Sequence, residues 1–207
     1  MAPITTEQFE ALLRPYLAMM HIELDPSQVS FLLRHLNLLL RWNQKLNLTS
    51  VRDPPEIVRR HFAESLFLGS LLPIGISTVA DIGSGAGFPG FPIAVLQPSA
   101  QVSLIESVAK KAVFLKELCR GAPNTTVIHG RFERLDLCFD CGVVRGLPVP
   151  RLLPAFARKL RDLAFILGRE PGRNLSRTNF FDWSEAVPLP WEPDRVVLLA
   201  SRRDFMR

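Results

Sequence analysis

A chain of 207 residues, 47% of them hydrophobic, can build one well-buried α/β core with a short extra segment, and is expected to form a single domain. Its formal charge of +5 and pI near 9.6 favour an anionic partner such as RNA. No apolar run approaches the ~18 residues of a membrane span and no basic-plus-apolar leader opens the chain, which predicts a cytoplasmic protein with no membrane partner.

In chain order, apolar residues recur at helical spacing over residues 5 to 20 and 26 to 47, as in Val29, Leu32, Leu33, Leu36, Leu39 and Leu40. Asp53 as N-cap, Pro54 at the first helical position and Glu56 at the third then form a capping box. The helix it starts carries Val58, Phe62 and Leu66 on one face, with His61 on the same segment. Residues 1 to 70 therefore read as a helical N-terminal extension to a core at 71 to 207.

From Thr78 the pattern alternates: strand 78 to 82, helix from about 88, strand 101 to 105, helix 108 to 120, strands 125 to 129 and 140 to 144, a helix near 150 to 160, and strand 163 to 168. Such alternation predicts a Rossmann-like α/β fold, a mostly parallel sheet covered on both faces with ligands at the carboxyl ends of its strands. Trp183 to Leu189 and Arg195 to Ala200, joined by short Pro-rich links, are expected to form an antiparallel edge hairpin without a helix. Three cysteines are too few for a disulfide framework. Cys138 and Cys141 have the spacing of half a metal knuckle but lack two further ligands, so no metal is expected.

The richest segment is Val79-Ala80-Asp81-Ile82-Gly83-Ser84-Gly85-Ala86-Gly87-Phe88-Pro89-Gly90. It reads as a buried strand, a glycine turn and a helix start, with backbone N–H groups expected to face a ligand. The glycines alone also satisfy the dinucleotide pattern G-x-G-x-x-G, so they do not choose a cofactor. Asp81 tips the balance toward S-adenosylmethionine, beside which a nicotinamide dinucleotide and a purely structural glycine turn stand as alternatives: a carboxylate at the strand end opposes a pyrophosphate and suits a cofactor that carries a sulfonium and an ammonium and no phosphate. Glu106, closing Val102-Ser103-Leu104-Ile105, has the spacing at which an acidic residue takes ribose hydroxyls of either cofactor.

Trp42-Asn43-Gln44-Lys45-Leu46-Asn47-Leu48-Thr49-Ser50, then Arg60-His61-Phe62-Ala63-Glu64-Ser65-Leu66, then the glycine segment, closely resemble the bacterial small-subunit (16S) ribosomal RNA methyltransferase G family, also called glucose-inhibited division protein B. The resemblance runs on through Glu106 to Leu115 and Gly130-Arg131-Phe132-Glu133, and so covers about residues 30 to 145. It implies a class I methyltransferase fold with a seven-stranded sheet, S-adenosylmethionine as cofactor, and methyl transfer to N7 of a guanine in 16S rRNA. It further implies that Asp81, Gly83, Gly85 and Phe88 surround the methionine and ribose, that Glu106 takes the ribose, and that Phe132 and Glu133 sit at the adenine. Arg145, after the fourth strand, belongs by the same resemblance to the cofactor and substrate site.

The chemistry asks little of acid–base groups. N7 of guanine has an in-plane lone pair and no proton to lose, so positioning and charge stabilisation suffice. Candidates for RNA contact are Asn47, His61, Arg60, Lys110, Lys111 and Arg131, with Arg52 and Arg59 beside them; the expected partner is 16S rRNA or the 30S subunit, and the expected state a monomer. The chain departs from the family after the fourth strand, where Val144-Arg145-Gly146-Leu147-Pro148 replaces the usual Ser-Arg-Ala context, and after the fifth, where Leu167-Gly168-Arg169-Glu170 replaces Lys-Gly. A methyltransferase acting on another RNA and a non-catalytic RNA-binding or ribosome-assembly protein on the same scaffold therefore stand beside the first reading.

Overall fold

Five apolar runs become the parallel strands of the sheet: β1 Thr78–Ile82, β2 Gln101–Glu106, β3 Thr125–His129, β4 Phe139–Arg145 and β5 Leu160–Gly168. They are seen in a computed structural model that describes residues 3–147 and 149–203. The strand order β3-β2-β1-β4-β5 reverses direction between β1 and β4, the point at which an open α/β sheet binds ligands. Register aligns Ile82 with Ile105 on one side and Val144 on the other, so Gly83, Glu106 and Arg145 leave their strands side by side.

Beyond β5 the pairing turns antiparallel. β8 Glu192–Arg202 lies between β5 and the edge strand β6 Phe181–Trp183, while β7 Val187–Leu189 also pairs with β8. Among the described residues the sheet has eight strands in seven places, because β6 and β7 pair in succession along the side of β8 opposite β5, and β7 with β8 forms the C-terminal antiparallel hairpin. Two further boundaries differ from expectation. β5 begins at Leu160 because Asp162, which reads as a loop residue, is satisfied within the sheet by Arg161 Nε at 2.9 Å and Ser201 Oγ at 2.7 Å. An unexpected helix, α8 Arg169–Leu175, forms despite Pro171 and Gly172, because Pro171 stands in its first turn, where no N–H is needed.

Helices α5 Gly90–Leu96, α6 Ala109–Leu118 and α7 Leu153–Lys159 connect the parallel strands. Ahead of them come α1 Thr6–Met20, α2 Pro26–Asn43, α3 Pro54–Ile57 and α4 Glu64–Ser70, with a π-helical stretch Val58–Ala63 joining the last two. Thr5 and Asp25 start α1 and α2 with complete capping boxes through Gln8 and Gln28. At α3 only half the expected box exists: Asp53 Oδ2 accepts from the Glu56 amide at 3.4 Å, but the Glu56 carboxylate turns to Arg59 instead.

The four N-terminal helices are part of the core rather than an appendage. Phe9 and Leu13 of α1, Leu32 and Leu36 of α2 and Phe62 of the π-helical stretch are fully buried with Phe91 and Phe114 of α5 and α6. At roughly 1.5–3 kcal/mol for each such side chain, this packing fixes α2 and the π-helical stretch against the sheet. Among the described residues no helix is long and apolar enough to cross a membrane.

Candidate active site

The glycine loop after β1 is held by the protein itself. The amides of Gly83 and Ser84 donate to Ile105 O at 2.9 and 3.1 Å, and Gly87 and Phe88 donate to Ser84 O at 2.7 and 3.2 Å. Gly85 donates to Glu106 Oε2 at 2.9 Å, and Gly90 to Asp81 Oδ2 at 3.0 Å. Six amides are therefore committed inward, against the expectation that they face a ligand. Gly83, Gly85 and Gly87 take φ of 75°, 53° and 86°, which makes this folding-back possible. A phosphate cradle needs free N–H donors, so this loop is poorly suited to a pyrophosphate.

Two carboxylates organise the loop. Asp81 is 1% exposed, and a Cβ on Gly90 would stand 2.6 Å from its Oδ2, so only glycine lets α5 start there. Its other oxygen, Oδ1, is buried without a partner among the described residues. Burial pushes the Asp81 carboxyl up to about 7, against the hydrogen bonds from Ser84 and Gly90. Glu106 is used twice: Oε2 by Gly85 and Oε1 by the Val108 amide at 2.7 Å, where α6 begins. A carboxylate has about four lone-pair sites, so two of them remain for hydroxyl donors. Beside it opens a cleft of about 450 Å³ lined by Ser107, Val108, Gly130, Arg131, Arg134 and Leu135.

The aromatic expectations change. The Phe88 ring is buried and stacks on His35 with centroids 4.3 Å apart, facing α2 rather than the cleft. His35 Nε2 lies 2.7 Å from Ala86 O; since a carbonyl only accepts, that nitrogen carries the proton, and α2 thereby holds the middle of the loop. Phe132 is 2% exposed and packs edge-on against Phe156 at 5.6 Å, so its ring belongs to the core. Glu133 is exposed, with its backbone carbonyl bound by Lys159 Nζ at 3.1 Å.

Across the switch point stands a charged cluster. Arg145 donates through one amino nitrogen to His61 Nδ1 at 2.7 Å and reaches Glu64 Oε2 with the other at 3.2 Å. Arg195 of β8 meets the same Glu64 oxygen at 2.8 Å. Because the guanidinium can only donate, His61 Nδ1 accepts, and Nε2 carries the proton that it donates to Thr49 Oγ1 at 2.8 Å. Burial, reinforced by Arg145, pushes His61 down to about 3, which keeps it neutral. Asn43 completes the chain by accepting the amides of Leu48 and Thr49 at 2.9 and 3.1 Å.

Asp81, Gly83, Gly85, Glu106 and Arg145 thus stand at the carboxyl ends of the adjacent strands β2, β1 and β4, at the switch point where an open α/β sheet forms its crevice. His61, expected as an RNA contact, is buried beside Arg145. Asn47, Lys110 and Arg131 are exposed and Lys111 partly so, whereas Arg60 lies 3.8 Å from Glu56 and Arg59 is engaged by Glu56 and Glu192. Sequence reasoning missed Glu64, Thr49, His35 and Arg195. Glu64 left one signal, an acidic residue among the apolar positions of a helix, at a place where burial requires a cationic partner.

The chain matches the family model described as rRNA small subunit methyltransferase G over residues 28–161. It is 48% identical over 117 residues to the ribosomal RNA small subunit methyltransferase G of Xylella fastidiosa (strain M23), covering 56% of this chain and 54% of that protein. The protein of the same name from Xanthomonas euvesicatoria pv. vesicatoria (strain 85-10) is 46% identical over 115 residues, covering 55% and 53%. The chain therefore spans about half the length of the curated relatives it matches. Among solved structures, mitomycin 7-O-methyltransferase MmcR superposes with TM-score 0.62 at 14% identity, covering 97% of this chain and 73% of that one. The 23S rRNA methyltransferase ErmE does so with TM-score 0.54 at 18% identity, covering 70% and 69%. These likenesses show a methyltransferase fold.

Proposed function

The chain belongs to the rRNA small subunit methyltransferase G family, and from that premise we propose that it transfers the methyl group of S-adenosylmethionine to N7 of a guanine in 16S rRNA. The observation that carries the reading is the inward commitment of the glycine-loop amides to Asp81, Glu106 and backbone carbonyls. Two carboxylates without a phosphate cradle suit a cationic, phosphate-free nucleoside.

The residues present fit that cofactor. The unpartnered Asp81 Oδ1 supplies negative charge, Glu106 retains lone pairs for hydroxyls, and a Cβ on Gly85 would meet only the Gly83 carbonyl, at 3.7 Å. Phe88 and Phe132 support these groups from behind. When bound, S-adenosylmethionine supplies an electrophilic sulfonium methyl. Arg145 has further N–H groups beyond the two held by His61 and Glu64, and these suit the acceptor edge of guanine, which offers O6 beside N7. No base is required, because N7 loses no proton; what this chain contributes is alignment and a fixed field. On this reading the partner is 16S rRNA or the 30S subunit, and the protein works in the cytoplasm.

A second reading, methyl transfer to another RNA, is favoured by one observation. Leu147, in the segment that departs from the family, packs on the glycine loop, its Cδ1 2.9 Å from where a Cβ on Gly83 would stand. Pro148 of the same segment lies outside the described residues.

The decisive experiment supplies labelled S-adenosylmethionine with 30S subunits and with naked 16S rRNA lacking the modification, then maps the methylated nucleotide by mass. Label at one guanine N7 is expected. Cofactor binding without transfer to either substrate would overturn the reading.

A further inference from the structure

Outside the crevice, a groove runs between the C-terminal half of α2 and the outer face of α6. Its mouth, about 440 Å³, is lined by Arg41, Trp42, Lys45 and Leu46 on one side and Lys110 and Val113 on the other. Through Arg41 it continues into a larger depression of about 860 Å³, to which Arg34 and Arg120 contribute. Five cations thus border the two cavities, against Glu117 as the one carboxylate among their lining residues.

That carboxylate is already committed. Glu117 Oε2 accepts from Trp42 Nε1 at 2.9 Å and Oε1 pairs with Arg41, so Glu117 orients the groove's aromatic wall and leaves Lys45 and Lys110 as exposed charges. Trp42 is braced from behind by Phe114, edge-on at 5.8 Å. Opposite it Val113 is 55% exposed, an apolar surface that no described residue covers. Apolar walls bordered by separated cations match single-stranded nucleic acid, whose bases stack on rings while its phosphates meet lysines.

The groove is tied to both sides of the crevice. Lys110 stands two residues beyond Val108, whose amide Glu106 holds. Asn43, next to Trp42, holds the backbone at Thr49, and Thr49 holds His61 and so Arg145. We propose that this α2–α6 groove binds an unpaired stretch of RNA flanking the nucleotide in the active site, with a base against Trp42 and Val113 and phosphates on Lys45 and Lys110. The inference rests on the RNA reading above. An acidic polypeptide would use the same lysines but would gain less from the aromatic and valine walls.

The test compares the whole protein with Lys45→Ala/Lys110→Ala and, separately, Val113→Asp, whose exposed position tolerates the change. Affinity for naked 16S rRNA is measured over a salt series, with S-adenosylmethionine affinity and thermal midpoint as controls. Roughly tenfold weaker RNA binding is expected for each variant, with a log–log salt slope shallower by about 1.4 for the double lysine variant, since two phosphate contacts are lost from a single strand. Cofactor affinity should stay within about twofold, because neither lysine nor Val113 touches Asp81 or Glu106.

Unchanged RNA affinity and slope would overturn the groove. So would unchanged RNA affinity with reduced methylation of 30S subunits, which would assign the surface to a ribosomal protein. If the wild type transfers no methyl group to 30S subunits or naked rRNA but the variants still lose RNA affinity, the groove stands and the proposed reaction falls.

Discussion

The two sides of the crevice are held by opposite means. On the β1–β2 side, main-chain amides bind each oxygen of Glu106 and one oxygen of Asp81, so the loop's shape is written into the backbone. On the β4 side, Arg145 is held by side chains from distant parts of the sequence: Glu64 and His61 from the N-terminal helical segment, with Arg195 of β8 sharing Glu64. A backbone-built site tolerates neighbouring change but not loss of glycine, whereas a side-chain cluster keeps N–H groups free for a ligand and depends on every member.

The largest effect that would sharpen this contrast is at Glu64, which is fully buried. Glu64→Ala leaves Arg145 and Arg195 without their shared counter-charge, and stability should fall by about 3–5 kcal/mol. Thermal or urea denaturation checks this; a loss below about 1 kcal/mol would mean that the cluster does not hold the corner.

The next effect separates the sides functionally. Arg145→Ala should cut turnover about a hundredfold or more while leaving S-adenosylmethionine affinity within a few-fold. Asp81→Asn, which keeps an acceptor for the Gly90 amide but removes the charge, should weaken cofactor binding about tenfold, or ~1.4 kcal/mol. Calorimetry beside steady-state kinetics distinguishes the two, and the same pattern from both substitutions would erase the distinction. With the Asp81 carboxyl pushed up to about 7 by burial, wild-type affinity for the cationic cofactor should rise with pH through that range. The Asn variant should lack that rise.

The smallest effect is on the pH dependence of folding. His35 and His61, buried and pushed down to about 3, contribute stability that is full above pH ~6.5 and lost as pH falls toward 3. Asp81, pushed up to about 7, has the reverse sign: its proton is held more tightly when folded, so stability declines as pH rises from about 4 to 7. Two histidines outweigh one aspartate, and the thermal midpoint of the unliganded protein should climb from pH 4 to about 6.5. His35→Gln should flatten that climb; an unchanged slope would mean that His35 takes up its proton in the folded state.

What the sequence reveals follows the same division. β1 to β5 are legible because strands buried on both faces are apolar runs bounded by turn residues, and the glycine loop because positive φ leaves glycines in the sequence. The Arg145 corner is not, since no local pattern announces that Glu64, Thr49 and Arg195 converge from three parts of the chain. The π-helical stretch at Val58–Ala63 leaves no periodic mark of its own, and within it His61 reads as a helix-face residue. Phe132 resembles a ligand-facing aromatic until Phe156, 24 positions on, is placed against it.

The position of β8 bears on how the protein is born. A ribosome releases Glu64 and Arg145 long before Arg195, and until β8 threads in beside β5 that strand presents an open edge while Glu64 has only one of its two cations. A nascent chain stalled short of β8 would therefore already own its glycine loop, yet be exposed to edge-to-edge pairing and incomplete at the corner where the target base is proposed to lie. Completion of the Glu64 corner thus waits on β8, whereas the main-chain contacts of Asp81 and Glu106 lie wholly within residues 81 to 108.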